Sequence, residues 1–148
     1  AKALRERIEA DIEGAGATVA AGGRRLNRPG AFLEPTVLAG VTPEMEVARE
    51  EVFGPVLSVL PFRDETEAIE IANGTDYGLV GGVFTRSLDR ATRAAGAIRA
   101  GQVFVNEWYA GGVETPFGGM GKSGYGREKG REALWNYVQT KNVAIRTG

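Results

Sequence analysis

The chain has 148 residues, 18 of them basic and 19 acidic, for a net charge of −1, which suits one domain with a sizeable core and leaves no electrostatic footprint for nucleic acid or an anionic membrane. No apolar run approaches the roughly 18 residues of a membrane span and the charged opening is unlike a signal peptide, so a soluble, cytoplasmic protein with neither partner is expected. With no cysteine and no histidine, the chain has no disulfide scaffold and no thiol nucleophile, and it lacks the commonest general base and metal ligand; no metal site is expected.

In chain order, residues 2–13 place Leu4, Ile8 and Ile12 at four-residue spacing with Gly14 behind them, the pattern of an amphipathic helix with one buried stripe. Residues 17–20 read as a short strand. A polar turn region over 22–30 leads to a second strand over 32–38, and Pro35 inside it predicts an edge or broken strand. Residues 42–49 fit a short helix or turn, and 56–62 a strand. Asp64, with Glu67 three residues on and Asn73-Gly74 as the stop, predicts a capped helix. A strand follows over 80–85. Ser87 then caps a helix whose Leu88, Ala91, Ala95 and Ile98 share one face, and Gly101 ends it before a strand over 102–106. Strand, helix, strand, helix, strand predicts parallel pairing through right-handed crossovers. A final helix to Val138, with Leu134 and Val138 at i, i+4, and an alternating strand over 142–146 complete the reading.

Three stretches carry chemistry. The first is Glu50-Glu51-Val52-Phe53-Gly54-Pro55. An ionised carboxylate only accepts hydrogen bonds and can take two hydroxyl donors at once, which suits a vicinal diol. In an extended segment Glu51 and Phe53 share a face while Glu50 turns away; a solvated acid pair beside a core phenylalanine is the plainer alternative. The second stretch, 106–116, leaves the carboxyl end of a strand, where ligands bind in open α/β sheets. It carries Trp108, Tyr109 and Glu114, and Phe117 follows; these aromatics either wall a ligand site or cap the core.

The third is 116–128, Pro-Phe-Gly-Gly-Met-Gly-Lys-Ser-Gly-Tyr-Gly-Arg-Glu, with five glycines. So glycine-rich a segment is a shaped loop, because glycine loses the most backbone freedom on ordering. Its Gly-Lys-Ser does not make a phosphate loop: that motif needs glycine where this chain has Pro116, which has no N–H to offer.

That stretch resembles the C-terminal signature of the aldehyde dehydrogenase family. Residues 48–55, Tyr77-Gly78-Leu79 and Val105-Asn106 occur in the family's order and approximate spacing. The resemblance covers essentially the whole chain but only the last part of a family member, and together with the absence of an initiating methionine it implies a piece of a longer enzyme. It implies an α/β fold, a mostly parallel sheet flanked by helices, with residues 1–139 as the C-terminal part of the catalytic domain. Residues 140–148 would be a terminal oligomerisation strand that joins a neighbouring subunit's sheet, making a homo-oligomer. It further implies that Glu51 holds the nicotinamide ribose of NAD or NADP, with Phe53 packed beside the nicotinamide ring and Leu79 approaching it. Trp108, Tyr109 and Phe117 would line the tunnel of the aldehyde substrate.

In the family a cysteine thiolate attacks the aldehyde, hydride passes to the nicotinamide, and a water activated by glutamate hydrolyses the thioester. Nucleophile, base and most of the cofactor domain lie upstream in the family, so no catalytic residue is expected here and the isolated chain is expected to be inactive. One departure stands out: a lysine that often follows Gly-Gly and one variable residue is Gly121 here, with Lys122 one step later. Arg127 and Glu128 match the signature and read as structural ties. A catalytically silent binding or assembly module on the same fold is the alternative function.

Overall fold

The computed structural model describes residues 2–148, the side chains of Lys2, Leu4 and Arg5 excepted. The described chain divides into two compact units, Ala1–Gly74 and Thr75–Gly148.

The first unit packs helix α1 (Lys2–Gly14) on a three-stranded sheet of β1 (Thr18–Ala21), β2 (Thr36–Ala39) and β3 (Val56–Val59), in the order β1-β2-β3. β1 and β2 are antiparallel, and β2 and β3 parallel. Ile8 and Ile12 of α1 are buried against Leu38 and Val41 as the spacing predicts; the Leu4 side chain of that stripe lies outside the described residues. Pro35 does not make β2 an edge strand, as its sequence position had implied. β2 starts at Thr36, one residue past the proline, so every N–H of the strand is available and it takes the central position. The buried Thr36 hydroxyl accepts from Gly23 N–H and donates to the Glu34 carbonyl, both at 2.9 Å, so this buried polar side chain is satisfied.

A short helix α2 (Glu46–Arg49) precedes β3, and α3 (Glu65–Ala72) follows it. The predicted cap of α3 forms: Asp64 Oδ1 accepts from Glu67 N–H at 3.0 Å. The Glu67 carboxylate reaches back one residue further than a standard capping box, accepting from Arg63 N–H at 2.6 Å and from its guanidinium at 2.9 Å. These bonds hold the Glu67 carboxyl below its ordinary range.

The second unit contains β4 (Tyr77–Gly78), β5 (Val80–Val83), α4 (Leu88–Ala97), β6 (Gln102–Val105) and β7 (Met120–Gly121). β5 and β6 are parallel with α4 as the crossover, one of the two crossovers the alternation predicts; β3 is laddered to β2 and not to β5, and β4 and β7 are antiparallel. Ser87 Oγ caps α4 by accepting from Arg90 N–H at 3.3 Å. The buried face of α4 is Ala91 and Ala94; Leu88, assigned to that face from its spacing, is 80% exposed.

Neighbouring glycines in β5 explain how its two faces are used. A Cβ on Gly81 would stand 2.8 Å from Ile98, just past α4, and a Cβ on Gly82 would stand 2.9 Å from the Trp108 ring. Successive strand residues face opposite ways, so the helix end packs on one face and the indole on the other.

The final helix is shorter and tighter than predicted. Lys129 and Gly130 both adopt φ of +58°, a left-handed pair that no helix continues through. Only a 3₁₀ segment, Glu132–Tyr137, follows. Leu134 and Val138 are exposed on it and beyond it. Residues 138–148 carry no regular structure, and the predicted strand over 142–146 finds no ladder among the described residues.

Candidate functional site

Glu51 and Phe53 follow α2 directly. Glu50 closes that helix by donating its N–H to the Glu46 carbonyl at 2.8 Å and is itself extended. Glu51 is exposed. It lines an open depression with Val47, Phe53, Val56 and Ser58.

The extended geometry assumed for Glu51 and Phe53 does not hold through Phe53, which takes φ of +55° with its ring 70% exposed. A left-handed backbone at a bulky residue costs on the order of 1–3 kcal/mol. Burial of the ring does not offset that cost within the chain. Phe53 is therefore not the core phenylalanine of the plainer alternative. The turn is made at Phe53-Gly54, where Gly54 lies against Ile8: a Cβ there would be 2.6 Å from that side chain. The helix α1 core thereby fixes where the turn falls.

Leu79, in the second unit, sits between β4 and β5 with its carbonyl accepting from Gln102 N–H at 3.2 Å; its side chain is 40% exposed. Beyond β6, Trp108 and Tyr109 come together on Phe104, the buried aromatic of that strand. The Trp108 ring meets it edge-on at 5.9 Å between centroids, and Tyr109 lies at 6.4 Å. Both remain more than half exposed, so each ring covers Phe104 on one side and is open on the other. Phe117 is half-buried and separately held: it exchanges two 2.7 Å backbone hydrogen bonds with Glu128. The Lys129 ammonium stands 5.8 Å from its ring centroid.

The glycine-rich signature folds back on β4. Lys122 donates its N–H to the Asp76 carbonyl at 2.8 Å and its ammonium to the Asp76 carboxylate at 2.8 Å, which lowers the Asp76 pKa. Ser123 Oγ accepts from Gly78 N–H at 3.1 Å. The Gly-Lys-Ser triplet thus ties a loop to a strand rather than cradling a phosphate. Arg127 is a tie within the loop, donating to the carbonyls of Gly119 at 3.0 Å and Gly126 at 2.6 Å, while Asn136 Nδ2 donates to the Arg127 carbonyl at 2.7 Å.

Sequence reasoning passed over the side chain of Asn106. Its Oδ1 accepts from Thr85 N–H and its Nδ2 donates to the Thr85 carbonyl, both at 2.8 Å. One amide thus pairs both backbone groups of Thr85, two residues past β5. The available signal was an asparagine, the side chain best able to mimic a peptide and tolerate φ above zero. Among the described residues no cluster of three or more His, Cys, Asp or Glu is placed to hold a metal ion, and no helix is long and apolar enough to cross a membrane.

The second unit thus has a parallel β-α-β unit whose strand end feeds an aromatic loop, and a glycine-rich signature folded back on β4. The Aldehyde dehydrogenase family model matches residues 2–143, and the chain belongs to that family. It is 48% identical over 134 residues, 90% of the chain, to an aldehyde dehydrogenase of Emericella nidulans. It is 47% identical over 146 residues, 97% of the chain, to a betaine aldehyde dehydrogenase of Cereibacter sphaeroides. An aldehyde dehydrogenase of Bacillus cereus, solved as an NAD+ complex, superposes over 100% of the chain with a TM-score of 0.94 at 42% identity. The chain spans 27%, 30% and 31% of the lengths of these three proteins. The α/β class expected from the alternation of elements is therefore that of the family.

Proposed function

We propose that this chain is the C-terminal part of an NAD-dependent aldehyde dehydrogenase, oxidising an aldehyde to a carboxylic acid, and that it contributes binding surfaces rather than the reacting nucleophile. The observation that carries the reading is Phe53, an exposed ring on a left-handed backbone two residues from an exposed carboxylate. A flat aromatic beside an acceptor-only group fits the two ends of a nicotinamide riboside. Glu51 would accept from the ribose hydroxyls and Phe53 would flank the ring, with Leu79 as a further apolar contact. The nicotinamide, when bound, supplies the hydride acceptor; everything this chain does toward that step is to orient it. Relatives solved with NAD+ favour that cofactor over NADP.

Trp108, Tyr109 and Phe117 would form part of the wall of the aldehyde tunnel, their exposed faces giving an apolar surface that excludes water from the substrate chain or ring. Residues 140–148 would act outside the catalytic region 1–139 as a strand added to the sheet of a neighbouring subunit, making a homo-oligomer. Val143 and Ile145 are 66% and 80% exposed, which accords with a segment that acquires its ladder and its cover from elsewhere.

In the complete enzyme, Glu51→Gln should raise the KM for NAD by about tenfold or more, since charge-assisted hydrogen bonds contribute roughly 1.5–3 kcal/mol. The KM for the aldehyde should move by less than about twofold, because the lost bonds are to ribose and not to the substrate. Unchanged cofactor kinetics would remove Glu51 from the site. Phe53→Gly separates presentation from stability. Removing left-handed strain returns about 1–3 kcal/mol, while the added unfolded-state entropy of glycine costs about 0.4–1, so the net is small or stabilising. The melting temperature should therefore hold or rise while NAD affinity falls; a large drop in melting temperature with intact affinity would make Phe53 a structural residue.

A further inference from the structure

We propose that Asn106 is the positioning residue of the aromatic wall: by pairing both backbone groups of Thr85 it fixes where the 106–116 loop leaves the sheet, and so where Trp108 and Tyr109 stand. The inference rests on the reading of those rings as substrate wall and assigns the control of their placement to a residue that touches neither ring.

The geometry argues it in three steps. β5 and β6 run parallel and in register, Gly82 opposite Phe104 and Val83 opposite Val105. The main-chain ladder ends with Asn106 N–H donating to the Val83 carbonyl at 2.8 Å. Beyond that point the backbone of Asn106 turns to φ of +56°, so it cannot continue the ladder, and its side chain does so instead through the two 2.8 Å bonds to Thr85. An amide offers a donor and an acceptor side by side, as a peptide does; of the other side chains that tolerate left-handed backbone, ionised aspartate has no donor and the two ring nitrogens of histidine point apart.

The turn so fixed aims Trp108 back over the strand pair. The indole comes down on the face where Gly82 has no side chain and meets Phe104 edge-on. Tyr109, itself at φ of +69°, follows onto the same phenylalanine. Two left-handed residues, Asn106 and Tyr109, therefore bracket Trp108. The loop has few other anchors near this end; the next polar contacts within it are at Gly112, which donates to Glu114 and accepts from Thr115. If the Asn106 clamp is released, the rings lose their fixed origin while the sheet beneath them keeps its ladder.

The test is made in the complete enzyme with 5-fluorotryptophan incorporated and the Trp108 fluorine resonance assigned by its loss in Trp108→Phe. Asn106→Gly retains access to positive φ and removes only the amide. It should shift or broaden the Trp108 resonance and raise the aldehyde KM about tenfold, the scale of two neutral hydrogen bonds, with the KM for NAD changed less than about twofold. Asp64→Ala, which removes the α3 cap and no contact of the loop, serves as the stability control and should do neither. Should Asn106→Gly fail to fold, Asn106→Asp keeps the bond from Thr85 N–H and is read in the same way. An unmoved Trp108 resonance with unchanged aldehyde KM overturns the proposal, as does an equal rise in both KM values. Trp108→Ala tests the underlying reading separately. If it leaves the aldehyde KM unchanged, the rings are not substrate wall, and the fluorine resonance alone still decides whether Asn106 places them.

Discussion

Gly101→Ala is expected to displace the signature loop and to be the most destabilising single methyl group in the second unit. A Cβ at this position would lie 1.6 Å from the Gly118 carbonyl oxygen and 2.7 Å from its carbon. Both are backbone atoms, so no rotamer change relieves the clash. Gly101 also donates its N–H to the Gly78 carbonyl at 3.0 Å, and its neighbour Gln102 donates Nε2 to the Pro116 carbonyl at 3.1 Å. Moving 101 away from 118 strains those bonds; moving 118 strains the Arg127 tie to Gly119. Overpacking of this kind costs about 1–3 kcal/mol, and a backbone-on-backbone clash belongs at or above the top of that range. Gly96→Ala is the internal control. Nothing lies within 4 Å of its Cβ position, and it sits in α4, where alanine is favoured over glycine by up to about 1 kcal/mol. The two alanines should move the melting temperature in opposite directions, and amide exchange at Phe117 and Glu128 should quicken only in Gly101→Ala. Equal or inverted shifts would show that the close approach of 101 and 118 is not rigid.

What could be read from the sequence was local. Asp64 and Ser87 cap their helices because a cap is a contact across three residues, and Ile8 and Ile12 are buried because one helix face decides it. The β5-α4-β6 unit was legible for the same reason, its connection being short and its handedness fixed. The misses came where a residue's fate is set by distant chain or by backbone conformation. Leu88 has the spacing of a buried residue, but alanines fill the face that packs and nothing in the described chain covers it. Phe53 was placed in an extended segment when it is the left-handed member of a turn held by Gly54 against Ile8. Lys129 gives no sign in its side chain that it will adopt φ of +58° beside Gly130 and cut the last helix short. Of the site, residue identities came from the signature, whereas the Gly81-Gly82 seat and the Asn106 clamp needed coordinates: both are pairings across 20 or so residues that no periodicity encodes.

Under the proposed function, this chain would supply surfaces for cofactor and substrate and none of the bond-making groups. It has no cysteine to form a thiohemiacetal and no histidine to replace a missing base. Correct placement of reactants can account for roughly 7–11 kcal/mol of a barrier, and the 148 residues hold one side of a proposed clamp. Weak binding is compatible with that: contacts from Glu51 and Phe53 alone should give no better than millimolar affinity, about −4 kcal/mol. The deciding measurement is the appearance of reduced nicotinamide when purified chain is mixed with NAD and a panel of aliphatic, aromatic and quaternary-ammonium aldehydes. The account predicts no reduction above the rate without protein for any of them. Reduction that requires the chain and is abolished by Glu51→Ala would contradict it, by placing a complete mechanism within these residues.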